Sequence, residues 1–184
     1  MRIIGIDPGL QATGWGVIVL SGTQLKAAGH GIIRTTTRQS DPERLSLIFE
    51  GLRAVIDTHQ PDKAVIEEIF VNDNPRSALR LGLARGAAML ACGQAGLMLS
   101  EISPRKVKQA VTGTGTADKK QVAAMVSRLL AIPAPPSDAA DALAMAIACF
   151  QGAATPARQK PPMATGLSAA IEAALQKDNQ NNDK

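Results

Sequence analysis

The stretch Arg2-Ile3-Ile4-Gly5-Ile6-Asp7-Pro8-Gly9 sets the terms on which the rest of the chain is read. Its isoleucines make a short buried strand, because branched side chains fit a pleated surface. The strand runs into a carboxylate and then Pro8-Gly9, a strong turn signal. An Asp at the end of a core strand is costly to desolvate unless positive charge meets it, whether a metal ion or a basic partner. Asp-Pro-Gly is also ordinary turn chemistry, so on this stretch alone Asp7 reads first as a turn-capping residue.

Working outward, Trp15-Gly16-Val17-Ile18-Val19-Leu20 is a second strand-like run, closed by Ser21-Gly22, and Leu25 to Arg34 is a weaker third. Gly29 and Gly31 within it mark bulges or a close approach. The short gaps between these runs predict an antiparallel meander. Ser40 and Glu43 have capping-box spacing and Pro42 suits a first turn, so a helix begins there. Leu45, Ile48, Phe49, Leu52, Val55 and Ile56 lay one apolar stripe along it. His59, at its end, suits the helix dipole. Lys63-Ala64-Val65-Ile66 is another short strand, and it too runs into acids, Glu67-Glu68.

Ser77 to Leu99 is a long helical segment rich in Ala and Gly. Gly82, Gly86 and Gly93 each cost up to about 1 kcal/mol in a helix interior. Their use is close approach to a neighbouring helix or to a second subunit. Leu97 to Ile102 reads as a fifth strand, Pro104 to Val111 as a short basic helix, Thr112 to Thr116 as a flexible loop, Asp118 to Leu130 as a helix, and Ser137 to Phe150 as a final core helix. The order predicts an α/β fold, a mixed five-stranded sheet flanked by helices. The folded domain is expected to span 1–152. Residues 153–184 change to Ala, Pro, Gln and Asn and read as a flexible tail, in which Ser168 to Gln176 could form one short helix.

The 184 residues are enough for one domain with a sizeable core. A net charge of +4 and a pI near 9.3 suit a nucleic-acid partner. The distribution is more telling: Asn74 to Ser100 holds three Arg and no acid, and Ser103 to Lys120 holds five basic residues against Asp118. Cys92 and Cys149 lack CxxC or Cys/His spacing, which argues against zinc and against a disulfide framework; both read as buried thiols in a reducing compartment. No apolar run reaches the roughly 18 residues of a membrane span, and the N-terminus enters a strand at once, unlike a signal peptide. A cytoplasmic protein is expected.

In Ser137-Asp138-Ala139-Ala140-Asp141-Ala142-Leu143 the two acids are three apart and share one helix face. Acids in a first turn are ordinary cap and dipole residues. Taken with Asp7 and Glu67 they mean more. If the first and fourth strands are parallel neighbours, Asp7 and Glu67 lie side by side at the sheet edge where α/β sites are built. Four carboxylates converging there would repel unless cations are bound. An all-oxygen set suits Mg²⁺ or Mn²⁺ rather than zinc. Two such ions about 4 Å apart would activate a water and stabilise a leaving oxygen on phosphate.

Ile4-Gly5-Ile6-Asp7-Pro8-Gly9 with Thr13-Gly14-Trp15-Gly16, Ile66-Glu67-Glu68-Ile69-Phe70, and Asp138-Ala139-Ala140-Asp141-Ala142-Leu143 together resemble the RuvC family, bacterial Holliday junction resolvases with an RNase H-like fold. Ser77-Ala78-Leu79-Arg80-Leu81-Gly82, Ala84-Arg85-Gly86 and Val107-Lys108-Gln109 are also similar to it. The likeness runs from about Met1 to Phe150. It implies that Asp7, Glu67, Asp138 and Asp141 are the catalytic, metal-holding acids, with two Mg²⁺ per site and Mn²⁺ able to substitute. Glu68 stands where the family often has Gln and is left out. Phe70 matches an aromatic that meets unpaired bases. Lys108 and Lys119 match basic residues near the active site, and Lys120 is their neighbour. Arg76 and Arg80 share a helix face suited to DNA backbone. The resemblance further implies four-way junction DNA as substrate, a homodimer, and the RuvA–RuvB branch-migration complex as partner, with no membrane role.

Two other classes are weighed. An actin-like ATPase or sugar kinase shares Gly5-Ile6-Asp7-Pro8-Gly9 but needs two duplicated domains and a later Gly-Gly motif, and Gly-Gly does not occur in this sequence. A junction-binding module that does not cut would leave four acids unexplained.

Overall fold

The structure, a computed structural model, describes residues 1–68 and 75–157, with the backbone alone at Pro75 and Arg76. Chain order gives β1 (Arg2–Asp7), β2 (Ala12–Ser21), β3 (Gln24–Arg34), α1 (Asp41–His59), β4 (Lys63–Glu67), α2 (Pro75–Gln94), β5 (Met98–Ile102), α3 (Pro104–Thr112), α4 (Lys119–Leu130), α5 (Ser137–Phe150) and β6 (Thr155–Pro156).

The sheet order is β3-β2-β1-β4-β5-β6. The meander β1-β2-β3 is antiparallel, as the short gaps predict, while β4 joins β1 and β5 joins β4 in parallel. The predicted sheet of five strands is corrected to six, because Thr155 and Pro156 pair antiparallel with Glu101 and Ser100. Sheet pairing thus continues past Gly152, where the tail was expected to begin. Two residues in an Ala- and Pro-rich stretch carry no alternation that sequence reading could detect. Residues 158–184, including the short helix expected there, lie outside the described residues.

Strand β1 lies at the centre and is buried on both faces. Ile4 and Ile6 join one core with Val17, Ala64, Ile66, the α1 stripe Ile48, Leu52 and Ile56, and Ala84, Ala88, Ala91 and Cys92 of α2. Ile3 joins the other, with Ile18, Val65 and Ile102 beneath α3, α4 and α5. Burial on both sides explains a near-continuous apolar run in place of alternation. The helix expected over Ser77 to Leu99 ends at Gln94: Gly96 takes φ +68°, a left-handed stop that favours glycine, and the chain turns into β5. Between β2 and β3 the register shifts at Val17 and Ile18, which pair with Gly29 and Ala27 and skip Ala28, and a side chain at Gly29 or Gly31 would strike His59 or Trp15. Both the bulge and the close approach expected of these glycines are therefore present. The Trp15 and His59 rings sit 5.5 Å apart.

Past its two acids helix α5 is apolar all round, and Ala142 to Ala148 are buried without a break. It lies directly on strand backbone. A Cβ added to Gly5 would come within 1.9 Å of the Ala142 carbonyl oxygen, and one added to Gly14 within 2.1 Å of the Asp138 carbonyl oxygen. Only glycine permits this seat, and the alanines of α5 supply the matching flat surface. Both contacts are backbone on one side, so no side chain can rotate away. Gly5→Ala is expected to cost about 2–4 kcal/mol in urea unfolding while leaving the sheet topology intact. A loss within experimental error would show that α5 is not held this closely.

Candidate active site

Ile6 pairs with Ile66 in parallel register, so the next residues, Asp7 and Glu67, leave neighbouring strands side by side. The seat of α5 on Gly5 and Gly14 delivers the helix start, with Asp138 and Asp141, to the same edge. Asp7, Glu67 and Asp141 line one cleft with Lys108, Lys119, Pro104, Val107, Val122 and Met145. Three of the four predicted acids therefore share a cleft wall, and Asp138 acts on it through its charge.

That charge is felt at Asp7. Its carboxyl is pushed up to about 7, first by burial and then by Glu67, Asp141 and Asp138, with Lys119 opposing. Glu67 is raised too, by burial and then by Asp141, while Lys119 and Arg85 pull the other way. Two acids held above their usual range beside two others form a site short of positive charge. Lys119 supplies part of it, its Nζ donating to Asp141 Oδ2 at 3.1 Å. That hydrogen bond, then the Asp141 charge, raises the Lys119 pKa.

The positions of these lysines are built locally. Asp118 caps α4, accepting from the Gln121 N–H at 2.8 Å while its own N–H donates to Gln121 Oε1 at 2.9 Å. Lys119 is the first residue after that cap. Helices α3 and α4 both lack acids in their first turns, and the opening residues of each, Pro104 and Lys119, line the cleft. Cations at a helix start work against the dipole, so their presence needs a ligand-side reason, and phosphate is one that helix N-termini favour. The turn after Asp7 is pinned as well. Buried Thr13 donates to the Gly9 carbonyl at 2.9 Å, and Thr35 donates to the Leu10 carbonyl while accepting from Arg44 Nε at 3.0 Å.

The remaining sequence expectations divide. Lys108 reaches the cleft, whereas Lys120 and Arg80 are exposed and do not line it. Phe70 and the side chain of Arg76 lie outside the described residues. Sequence reading missed Arg85 and Glu101. Arg85 is buried on α2 and donates from Nη1 to the Glu67 carbonyl and from Nη2 to Glu101 Oε1. The available signal was a lone charge beside Ala84, inside the apolar stripe Ala84, Ala88, Ala91 and Cys92.

Among the described residues no three His, Cys, Asp or Glu side chains close into a metal cage. Burial, and then the neighbouring acids, nevertheless raise Asp7 and Glu67, and the Lys119 ammonium occupies Asp141. An open, all-oxygen donor set of this kind fits Mg²⁺ or Mn²⁺, which need few carboxylates and keep waters. Among the described residues no helix is long and apolar enough to cross a membrane. Cys92 and Cys149 are free, and burial pushes the Cys92 thiol up to about 12.

Comparison with known proteins identifies the family. The family model for crossover junction endodeoxyribonuclease RuvC matches residues 3–149. The RuvC of Caulobacter sp. (strain K31) is 49% identical over 148 residues, covering 80% of this chain and 88% of the relative. That of Hyphomonas neptunium is 54% identical over 148 residues, covering 80% and 89%. Among solved structures, T. thermophilus RuvC in complex with a Holliday junction substrate aligns with a TM-score of 0.79 at 33% identity, covering 85% of this chain and 99% of that one. The yeast mitochondrial Holliday junction resolvase Ydc2, at 13% identity and a TM-score of 0.58, shares the fold alone. The RNase H-like sheet is thus the framework common to these structures, and the chain belongs to the crossover junction endodeoxyribonuclease RuvC family.

Proposed function

We propose that this chain is an endonuclease that resolves four-way DNA junctions, nicking two strands of like polarity in homologous recombination and repair. The observation that carries the chemistry is the convergence of Asp7, Glu67 and Asp141 on one cleft with the charge of Asp138 beside them, where burial first and then these like charges push Asp7 up to about 7. Family membership supports the substrate.

In this reading Asp7, Glu67, Asp138 and Asp141 hold two Mg²⁺, with Mn²⁺ able to replace them. Bound there, the ions activate a water and stabilise the leaving oxygen of the scissile phosphate. The chain's own residues do the rest. Asp7 and Glu67, on adjacent strand ends, fix the distance between the ligands. Lys119 leaves Asp141 and turns its exposed ammonium to the phosphate, where it stabilises charge in the transition state. Lys108, on the same wall, orients the strand. Arg80 and Lys120, both exposed, serve as DNA-backbone contacts, and by the family resemblance so does Arg76, while Phe70 stacks on an unpaired base, worth about 1–3 kcal/mol.

A homodimer places two such sites on one junction, and dimer symmetry suits a substrate with symmetric strands. The support is an apolar face on α2 and α1. Leu79, Leu83 and Leu90 are exposed, and among the described residues nothing beyond the adjoining backbone of the same helix lies within 4 Å of a Cβ built on Gly82, Gly86 or Gly93. Gly82 and Gly86 line a groove beside Leu45, Ser46 and Phe49 of α1, and this reading gives that open apolar face to a second subunit. Service to a RuvA–RuvB branch-migration complex rests on the family resemblance, and a cytoplasmic location on the sequence reading.

In Mg²⁺ the purified protein, sedimenting as a dimer, is expected to nick a synthetic four-way junction on two opposed strands, and EDTA to abolish cutting. Asp7→Asn should bind the junction as wild type does and cut at least about a hundredfold more slowly. Cutting by Asp7→Asn at the wild-type rate removes the metal assignment, and a monomer in sedimentation removes the pairing.

Asp7 also predicts a pH dependence. Unfolded it titrates near 3.8, folded near 7, so between those values the folded state holds the extra proton. Stability of the metal-free protein then falls as pH rises through that window, by about 1–3 kcal/mol from this group. Melts in EDTA should show Asp7→Asn gaining on wild type from about pH 4 to about pH 7. Parallel profiles for the two proteins would show that Asp7 is not desolvated among like charges.

A further inference from the structure

We propose that Arg85 is a positioning residue for Glu67, fixing the end of β4 through a guanidinium fork anchored on Glu101. The inference builds on the reading of Glu67 as a metal ligand.

Arg85 carries a full charge into the packed side of α2, beside Ala84 and Ala88, which are fully buried. A buried guanidinium is costly unless its donors are met. Two of them are met by one stretch of sheet: Nη1 donates to the main-chain carbonyl of Glu67, and Nη2 to the carboxylate of Glu101. These acceptors lie on neighbouring strands, since Ile66 pairs with Glu101 and Glu67 with Ile102. The fork therefore ties the ends of β4 and β5 together from a third element.

Glu67 has particular need of such a tie. Pairing of β4 with β1 ends at Ile66, so at Glu67 the ladder continues only on the β5 side. The Glu67 side chain leaves from the residue whose peptide plane Arg85 grips. Fixing that plane fixes where the carboxylate points. Glu101 would otherwise add a fifth acid close to the site, and the pairing with Arg85 neutralises it. The fork matters as well as the charge: an ammonium is a single point of donation and cannot span two acceptors in fixed geometry.

The test uses the full chain. Mn²⁺ binding to DNA-free protein is followed by electron paramagnetic resonance, junction binding is measured in EDTA, and cleavage is measured in single turnover. Arg85→Lys should weaken Mn²⁺ binding about tenfold or more, slow cleavage, and leave junction binding in EDTA unchanged. Glu101→Ala should follow it, and Glu101→Gln, whose amide oxygen still accepts from Nη2, should recover most of the loss. If Arg85→Lys does not fold, Glu101→Ala against Glu101→Gln carries the test. Wild-type Mn²⁺ binding and cleavage in folded Arg85→Lys or Glu101→Ala would overturn the proposal and reduce Arg85 to a packing residue. Glu67→Gln separates the two readings. If it also binds Mn²⁺ normally, the ligand role of Glu67 fails; if it alone loses binding, only the positioning role falls.

Discussion

The seat of α5 on bare strand backbone is the constraint on which the site depends. Gly5 and Gly14 leave no room for even a methyl group under Ala142 and Asp138. The helix cannot shift along the sheet without driving its carbonyls into β1 or β2. Its first turn is therefore held at one place, the place where β1 ends in Asp7. Close packing, which the interior demands anyway, here also sets the distance between acids that are about 130 residues apart in the chain.

That placement carries an electrostatic cost. Burial and like charges raise Asp7 and Glu67, and Lys119 and Arg85 offset only part of the repulsion. Cations bound under the proposed function would relieve the rest of that repulsion. Lys119 answers one acid from an exposed position, where it is free to exchange partners. Arg85 answers from inside and touches the main chain as well, where it is not. One basic residue thus belongs to the exchangeable part of the site and the other to its frame.

Much of this was legible in the sequence. Strands that stop at acids, and a core helix that begins with two, placed Asp7, Glu67, Asp138 and Asp141 together before any coordinates, because strand ends and helix starts are set by local chemistry. Other features were not. Gly5 and Gly14 carry no local sign that a helix lies on them, since what approaches, Ala142 and Asp138, is more than 120 residues away in the chain. Arg85 was masked by the apolar stripe around it, since its partners lie on strands 16 and 18 residues away. Pairing at Thr155 and Pro156 is supplied by the free edge of β5, not by strand propensity of their own.

The central claim is that the four acids form a cation site facing DNA. It is tested most directly by anomalous scattering from Mn²⁺ in crystals of Asp7-intact protein with a junction. The account predicts two peaks about 4 Å apart, bounded by Asp7, Glu67, Asp138 and Asp141 and beside a phosphate. Peaks elsewhere, or an Asp7–Glu67 edge still empty at saturating Mn²⁺, would contradict it.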